Sequence, residues 1–551
     1  MTNIANEKGG DVVAEVDHHD HVTTPNEKSS HAVPQGDAHV TFKVWIVVCI
    51  MSWGYGLSFI PVPLFAAVGT EIATDLGNAG DSAWFIPAWI ISITTAFMIA
   101  GSNTDMLGRR WFLITGQVVC FVGHLITGLA KSNAQIIAGM TIEGFGAALC
   151  QMAAFALPEL LPNKWRAIGV VLADFAVYLC ITVIPVTARY GYFVGDWRAN
   201  FYSAAGLQAL SAAGLYFFYY PPAHPLGIPF RTAFKQLDYL GMLLFTAGAV
   251  PVMVGIVYTA SVPASDPKVL GTLIAGFIIL VLFGVWETFG HARHPLTPPA
   301  IFRKGRGRDF TAPCIALAII NMFYYSSSII WPTMINAFYT AGGQPWERAA
   351  VLSLPQGLAI TGGAIGLTFL GPLIKHYHWQ QTASVTMMVV FGSLLALATP
   401  TNMGLMCTFV VLSLFGYGWA IYLSIAFTQL GVDQENLGIS GERLEIKDAG
   451  VRDQGRRGGR VSASQIPDLL MLLATPKELA SQFGESVAGA VGLAQQLAIA
   501  HGIKLIALTS LGFGCIGIVA CLCCQNIDSR MDNTIEVFLE NDEFADRNKF
   551  H

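Results

Sequence analysis

The stretch Gly101-Ser102-Asn103-Thr104-Asp105-Met106-Leu107-Gly108-Arg109-Arg110 sits where one apolar run, 83–104, gives way to another, 111–130. In lipid a backbone amide finds no partner outside its own helix, so about twenty consecutive apolar residues read as a spanning helix. Two such helices joined by so short a polar turn are antiparallel neighbours. Working outward, the same pattern gives spans at 44–67, 134–156, 166–188, 198–219, 238–261, 268–288, 310–335, 347–373, 380–399, 403–428 and 503–524, about thirteen in all. The fold class is an all-α polytopic membrane protein.

Composition agrees. Hydrophobic residues make up 53% of the chain and charged residues 12%, where soluble domains carry about a quarter charged. The net charge of −5 offers nothing to nucleic acid. All ten cysteines fall within or at the ends of apolar segments and read as small buried hydrophobes. The His18-His19-Asp20-His21 run could bind a metal ion weakly, but with no second ligand cluster after it the reading is a solvated polar run, and no site for a metal or cofactor and no enzyme is expected. The absence of a Gly-x-x-x-x-Gly-Lys-Ser/Thr loop argues against ATP-driven work. With the N-terminus in the cytosol, alternate loops hold Arg109, Arg110, Lys164, Arg166, Arg231, Lys235, Arg293, Arg303, Lys304, Arg306, Arg308 and Lys375. The opposite loops hold Lys131, Arg189, Arg198, Lys268 and Arg348, and twelve against five favours that orientation.

One stretch breaks the pattern. Glu442, Arg443, Glu445, Lys447, Asp448, Arg452, Asp453, Arg456, Arg457 and Arg460 put ten charges into nineteen residues. At a few kcal/mol for each central charge, spanning there would cost on the order of tens of kcal/mol. Residues 466–502 mix apolar and charged groups and suit an interfacial helix. The chain divides into a cytosolic tail (1–41, disordered by composition), a six-helix bundle (42–220) and a linker with two inserted membrane helices (221–308). A C-terminal bundle follows (309–524, irregular over 429–500 and charged over 441–460), then an acidic tail (525–551). If 503–524 is the thirteenth crossing, that tail lies outside.

Residues 44–430 and 495–540 resemble the fourteen-helix drug:proton antiporter branch of the major facilitator superfamily. They are most similar to the fungal group holding trichothecene efflux pumps and siderophore transporters. The resemblance rests on Gly108-Arg109-Arg110-Trp111-Phe112, Glu143-Gly144-Phe145-Gly146-Ala147-Ala148 and Pro158-Glu159-Leu160-Leu161-Pro162-Asn163-Lys164-Trp165-Arg166. It extends through Trp197-Arg198-Ala199-Asn200-Phe201, Leu237-Asp238-Tyr239-Leu240-Gly241, His294-Pro295-Leu296, Trp331-Pro332-Thr333 and Val432-Asp433-Gln434-Glu435-Asn436. It implies two six-helix bundles with the substrate path between them, two inserted central helices, and a signature loop (Gly101, Asp105, Gly108, Arg109, Arg110) that latches the halves on the cytosolic side. Three departures stand out: Met140 where the fourth helix usually has Arg, Ile184-Pro185-Val186-Thr187-Ala188-Arg189 in place of a Gly-Pro antiporter motif, and the charged run where a span is required. A retained intron or frame error would account for the last, as would a true variant.

Charges at bilayer depth are functional candidates by default. Glu143, beside Gly144 and Gly146, and Asp174, within Leu172-Ala173-Asp174-Phe175, are the proton-coupling candidates. The plainer readings are a hydrogen bond across a Gly-rich helix contact for Glu143 and a polar neighbour for Asp174. His124 reads as a packing histidine. In the other half Asn321, Tyr325, Ser328, Trp331 and Gln356 are substrate-cavity candidates, since an amphiphile needs sparse polar groups on an aromatic wall. Interhelical hydrogen bonding is the alternative for them. The resemblance then implies a monomeric secondary active transporter in the plasma membrane, with a vacuolar or vesicle membrane as alternatives. It would exchange protons for a small amphiphilic substrate such as a fungal toxin, secondary metabolite or drug. Siderophore-iron uptake by proton symport is the second expectation, and a non-transporting receptor or inactive gene product the third.

Overall fold

The structure, a computed structural model, describes residues 40–162, 165–222, 230–259, 262–290, 294–340, 345–431, 485–528, 535, 537–542 and 545. The tail 1–39, the charged run 441–460 and the segment 466–484 lie outside the described residues. Among the described residues eighteen α-helices follow in order. The first nine are α1 (Phe42–Leu57), α2 (Pro61–Asp75), α3 (Phe85–Leu107), α4 (Arg109–Gly128), α5 (Asn133–Gln151), α6 (Ala153–Glu159), α7 (Arg166–Ala173), α8 (Phe175–Phe193) and α9 (Ala199–Phe218). Then come α10 (Phe230–Gln236), α11 (Tyr239–Tyr258), α12 (Pro267–Phe289), α13 (Pro299–Arg303), α14 (Thr311–Met334), α15 (Trp346–Ile374), α16 (Tyr377–Leu394), α17 (Met403–Gly431) and α18 (Glu485–Cys523).

Twelve stretches among these are long and apolar enough to cross a membrane. The expected span at 198–219 is not one of the twelve, although α9 is present as a 20-residue helix. Its polar side chains explain this. Gln208 is fully buried and donates to the Gly54 carbonyl at 3.1 Å and to Gln117 Oε1 at 2.5 Å, so a polar contact ties α9 to α1 and α4.

Helix breaks fall where the sequence weakens the ladder. Gly108 (φ 81°) separates α3 from α4, a left-handed turn that glycine adopts without a Cβ penalty. Pro61 opens α2 after a break at 58–60. Pro332 removes a backbone donor inside α14, and the helix ends in a π-helical turn at Ile335–Tyr339. Gly101 corrects an expectation: it lies inside α3, not at a turn.

The two halves share a packing order. In the first, α4 packs on α5 and α9, α3 on α5, and α1 on α9; in the second, α16 packs on α17 and α18, α15 on α17, and α14 on α18. Among the described residues the α7–α8 pair has no counterpart in the second half. The halves meet through α8 against α15 and α7 against α17. A side chain at Gly357 would collide with Thr182, so backbones touch there. The α11–α12 hairpin lies outside both bundles against α3, with the rings of Trp84 and Tyr258 5.2 Å apart. All ten cysteines are free thiols.

The last helix corrects the sequence reading twice. It starts at Glu485, not 503, because residues 485–502 are rich in Ala, Leu and Gln and carry the helix on unbroken. It also runs antiparallel to α14. Gln496 Nε2 donates to the Ala337 carbonyl at one end, and Arg308 Nε donates to the Cys523 carbonyl at the other. Cys523 is therefore on the face that carries the Gly108 turn, called here the loop face. Gln429, near the end of α17, is on that face too and donates to the Ala154 carbonyl of α6. Gly431 and Glu485 thus lie toward opposite faces. The acidic tail, expected on the side opposite the N-terminus, instead lies against the start of α1: Thr41 Oγ1 donates to Asp542 Oδ2 at 2.5 Å.

Candidate functional site

Three helix breaks converge on the interface between the halves. Phe59 sits between α1 and α2, Gln151 ends α5, and Asp174 separates α7 from α8. All three line one cavity of about 60 Å³. Tyr55, Val177, Tyr178 and Ile181 complete the wall from the first half, and Asn321, Tyr324, Tyr325, Ile360, Tyr417, Ile421, Tyr422 and Ile425 supply the second. Broken helices around a mid-membrane site are a recurring feature of transporters, because freed backbone is tolerated only beside a cavity.

Among the described residues of this wall Asp174 is the only charged one. An Asp at the start of a helix ordinarily turns its carboxylate onto the first backbone amides. Asp174 makes no such cap to α8. Its Oδ2 instead accepts from the Tyr422 hydroxyl at 2.9 Å, across the two halves, and Tyr55 of α1 is a second hydrogen-bond partner of the carboxyl, while Oδ1 is buried without one of its own. Around it the rings of Tyr178 and Tyr422 meet edge to face at 5.9 Å, and Tyr324 stacks on Tyr417 at 4.8 Å. A space of about 60 Å³ holds one or two waters. An amphiphile needs roughly 300 Å³ or more. The halves are therefore drawn together over the site.

Glu143, the other proton-coupling candidate, does not line this cavity. It is fully buried between α4 and α5, where Thr127 Oγ1 donates to Oε1 at 2.7 Å and His124 Nδ1 lies 3.4 Å from Oε2. The physical reason is close packing: Gly123 has no side chain, and Glu143 fills that space. His124, fully buried as well, is the neighbour of this carboxylate.

In the second half Asn321 and Tyr325, one helical turn apart on α14, do line the cavity. Trp331 and Gln356 do not. Trp331 is fully buried and donates to the Leu352 carbonyl at 2.8 Å, holding α14 on α15, and Gln356 is buried in α15. Ser328 is on α14 and Asp105 on α3, and their side chains lie outside the described set. The tyrosines 55, 178, 417 and 422 and Gln151 were not singled out in the sequence. A tyrosine in an apolar span looks the same whether it packs or lines a cavity, and 248 residues separate Tyr422 from Asp174.

At the loop face Arg109 forms a buried ion pair with Glu159 at the end of α6. Arg110 donates to the Tyr216 carbonyl at 2.9 Å and lies 3.7 Å over the Tyr220 ring. These partners belong to the first half. On the opposite face Arg189, expected in a loop, is inside α8 and buried. It donates to Asn336 Oδ1 at 3.0 Å in the π-helical turn of the second half. Trp346 closes that face, with its ring 5.5 Å from Tyr190 and 5.8 Å from Phe193.

Comparison with known proteins follows the same lines. Residues 1–449 match the family model described as the fungal trichothecene efflux pump. The chain is 47% identical over 517 residues to the MFS-type transporter prx5 of Penicillium rubens, covering 90% of this chain and 93% of that one. It is 24% identical over 376 residues to the trichothecene efflux pump TRI12 of Fusarium sporotrichioides, covering 67% of this chain and 62% of that one. Among solved structures, the human organic anion transporter MFSD10 aligns with 86% of this chain and 97% of its own, at 12% identity and a TM-score of 0.48.

Proposed function

Since the chain belongs to the fungal trichothecene efflux pump family of major facilitator transporters, we propose that it exports an amphiphilic small molecule in exchange for protons, with Asp174 as the proton carrier. The loop face is then cytosolic, in keeping with the distribution of Lys and Arg, and the protein works as a monomer in the plasma membrane. The observation that carries the proposal is the Asp174–Tyr422 bond: the cavity's one carboxylate gives up its local capping role to hold the opposite half. The ionised carboxylate is the stronger acceptor. Proton uptake weakens the bond between halves, and loss of the proton restores it. Proton occupancy and cavity width are thereby linked through one contact.

The wall suits such a cargo. It offers aromatic faces, aliphatic side chains, two amides in Gln151 and Asn321, and no Lys, Arg or His. A fungal toxin or secondary metabolite of moderate polarity fits this chemistry. The test is a whole-cell efflux assay over a panel of sesquiterpenoid toxins, drugs and ferric siderophores, with and without a protonophore. Export of at least one amphiphile, abolished by the protonophore, is the expected result. Uptake of a ferric siderophore with no export across the panel would overturn the proposal.

A further inference from the structure

The open end of the α11–α12 hairpin holds two carboxylates that the cavity chemistry does not use. Asp238 caps α11 and Glu287 is in the last turn of α12, and they are only 5% and 7% exposed. Gly241 N donates to Asp238 Oδ1 at 2.8 Å, and the Trp286 indole donates to both Asp238 oxygens at 3.0 Å. Thr297 donates to Glu287 Oε2 twice, from its amide at 2.8 Å and its hydroxyl at 3.3 Å. Glu287 Oε1 is left buried with no donor. It faces Asp238. The two carboxyl groups are hydrogen-bonding neighbours, and a side chain at Gly241 would strike Asp238 Oδ2 and Glu287 Oε1 together.

Two acceptors this close repel unless one carries a proton, because paired carboxylates out of water cannot both ionise. A cation such as calcium could also join them, yet it asks for about six oxygen ligands. Here three of the four carboxylate oxygens already accept from N–H or O–H donors. A proton is the ligand that fits.

What the pair joins gives that proton a task. Thr297 adjoins Leu296, which is fully buried and packs with Phe245, Phe283 and Met98 of α3. Asn103, near the end of α3, donates to Met242 Sδ at 3.8 Å, so α11 also touches the helix that leads into the Gly108 turn. Around the pair, Lys235 of α10 is exposed, Tyr239 donates its hydroxyl to the Phe234 carbonyl, and His294 is paired by backbone with Leu237. The side chains of Asp105, Arg231, His291 and Arg293 lie outside the described set.

We propose that Asp238 and Glu287 share one proton, which clasps the hairpin and the Leu296 loop to α3 and lets them go as pH on the loop face rises. Loss of the proton leaves two charges in contact, and their repulsion drives the ends of α11 and α12 apart. The clasp is separate from Asp174 and does not rest on the function proposed above.

The test is hydrogen exchange on the purified full-length protein between about pH 5 and 9, the span over which buried carboxyls lose a proton. Rates are corrected for the intrinsic rise of exchange with pH. Glu287→Gln is the decisive variant, because its amide donates to Asp238 and has no proton to lose. In the wild type, exchange at 239–242 and 296–297 should rise by about tenfold, the change one bound proton allows per pH unit. In Glu287→Gln it should stay flat. The infrared band of a protonated carboxyl should likewise lose intensity in Glu287→Gln at the acid end. Equal rises in both proteins, a flat wild type, or an unchanged infrared band would each overturn the proposal. So would an equal rise at 190–193 in α8, which signals general alkaline loosening. Asp174→Asn should leave both readings as in the wild type, so the clasp and the transport reading can fail separately.

Discussion

Replacing Asp174 by Asn separates transport from its coupling to protons. The side chain keeps its shape and still presents an oxygen to Tyr422, so the packing of Tyr178 against Tyr422 is retained. What is lost is charge. Hydrogen bonds to charged groups contribute about 1.5–3 kcal/mol, and neutral ones about 0.5–1.5 kcal/mol. The bond between halves therefore weakens by roughly 1 kcal/mol, which moves the balance between closed and open states by about fivefold. That shift is modest, and downhill flux should survive within about that factor. Uphill flux should not, because Asn cannot exchange a proton at any working pH. The assay uses proteoliposomes with a substrate gradient alone, a pH gradient alone, or both, at matched protein content. Asp174→Asn should show downhill movement without response to the pH gradient. Glu143→Gln, altered outside the cavity, should keep the pH response and lose stability instead. If Asp174→Asn still accumulates substrate against a gradient with the wild-type pH profile, Asp174 carries no proton and the reasoning fails.

Arg109→Ala breaks the buried ion pair with Glu159, and removing one partner of such a pair typically costs about 3–5 kcal/mol; surface abundance should fall along with turnover, and Arg109→Gln with Glu159→Gln should recover abundance in a fluorescence-detected stability assay. Gly357→Leu forces a side chain into Thr182 between α15 and α8. Overpacking of this kind costs about 1–3 kcal/mol, and the variant should transport at under a tenth of the wild-type rate while an unchanged rate would show that the contact yields. Arg189→Ala removes the bond to Asn336, and amide exchange at 336–339 should rise with no change near Ala154.

The reach of the sequence ended at identifiable physical points. Apolar runs and the Gly108 turn located the helices, because lipid leaves the backbone no alternative to the helix. The burial depth of Asp174 was legible for the same reason. Its partner was not, since Tyr422 is distant in sequence and chemically like every other span tyrosine. Glu143 looked equivalent to Asp174 by depth, yet the Gly123 gap draws it into a helix contact. Arg189 was misplaced because a charge near a span end reads as loop. Here it stays inside α8, where Asn336 satisfies one of its donors. The direction of α18 could not be read either. A hydrophobic run carries no sign of which face it starts from, and Ala337 and Arg308 supply that information only in three dimensions.

These placements bear on how one residue can act on both faces of the molecule. α7 packs on α17 near the loop face, and α8 packs on α15 beneath the Trp346 closure. The two helices are joined at Asp174, whose backbone (φ −85°, ψ 0°) leaves the helical region. A continuous helix would transmit displacement from one face to the other as a rigid rod. At the break Ser52 Oγ of α1 accepts from Ala176 N at 3.3 Å, and it is about this point that α7 and α8 can pivot against each other. Tyr422 fixes that pivot from the opposite half. While its hydroxyl holds the carboxylate, α7, α8 and α17 keep one arrangement and the cavity stays near the size of one or two waters. Once the bond weakens, each face answers to its own closure. On the loop face that is Gln429 with Ala154; on the other it is Arg189 with Asn336 and the Trp346 stack. The face whose closure is weaker at that moment opens. On the proposed function, access can alternate although the described wall carries a single carboxylate, because a proton on it would release the hinge and the two closures would select the side.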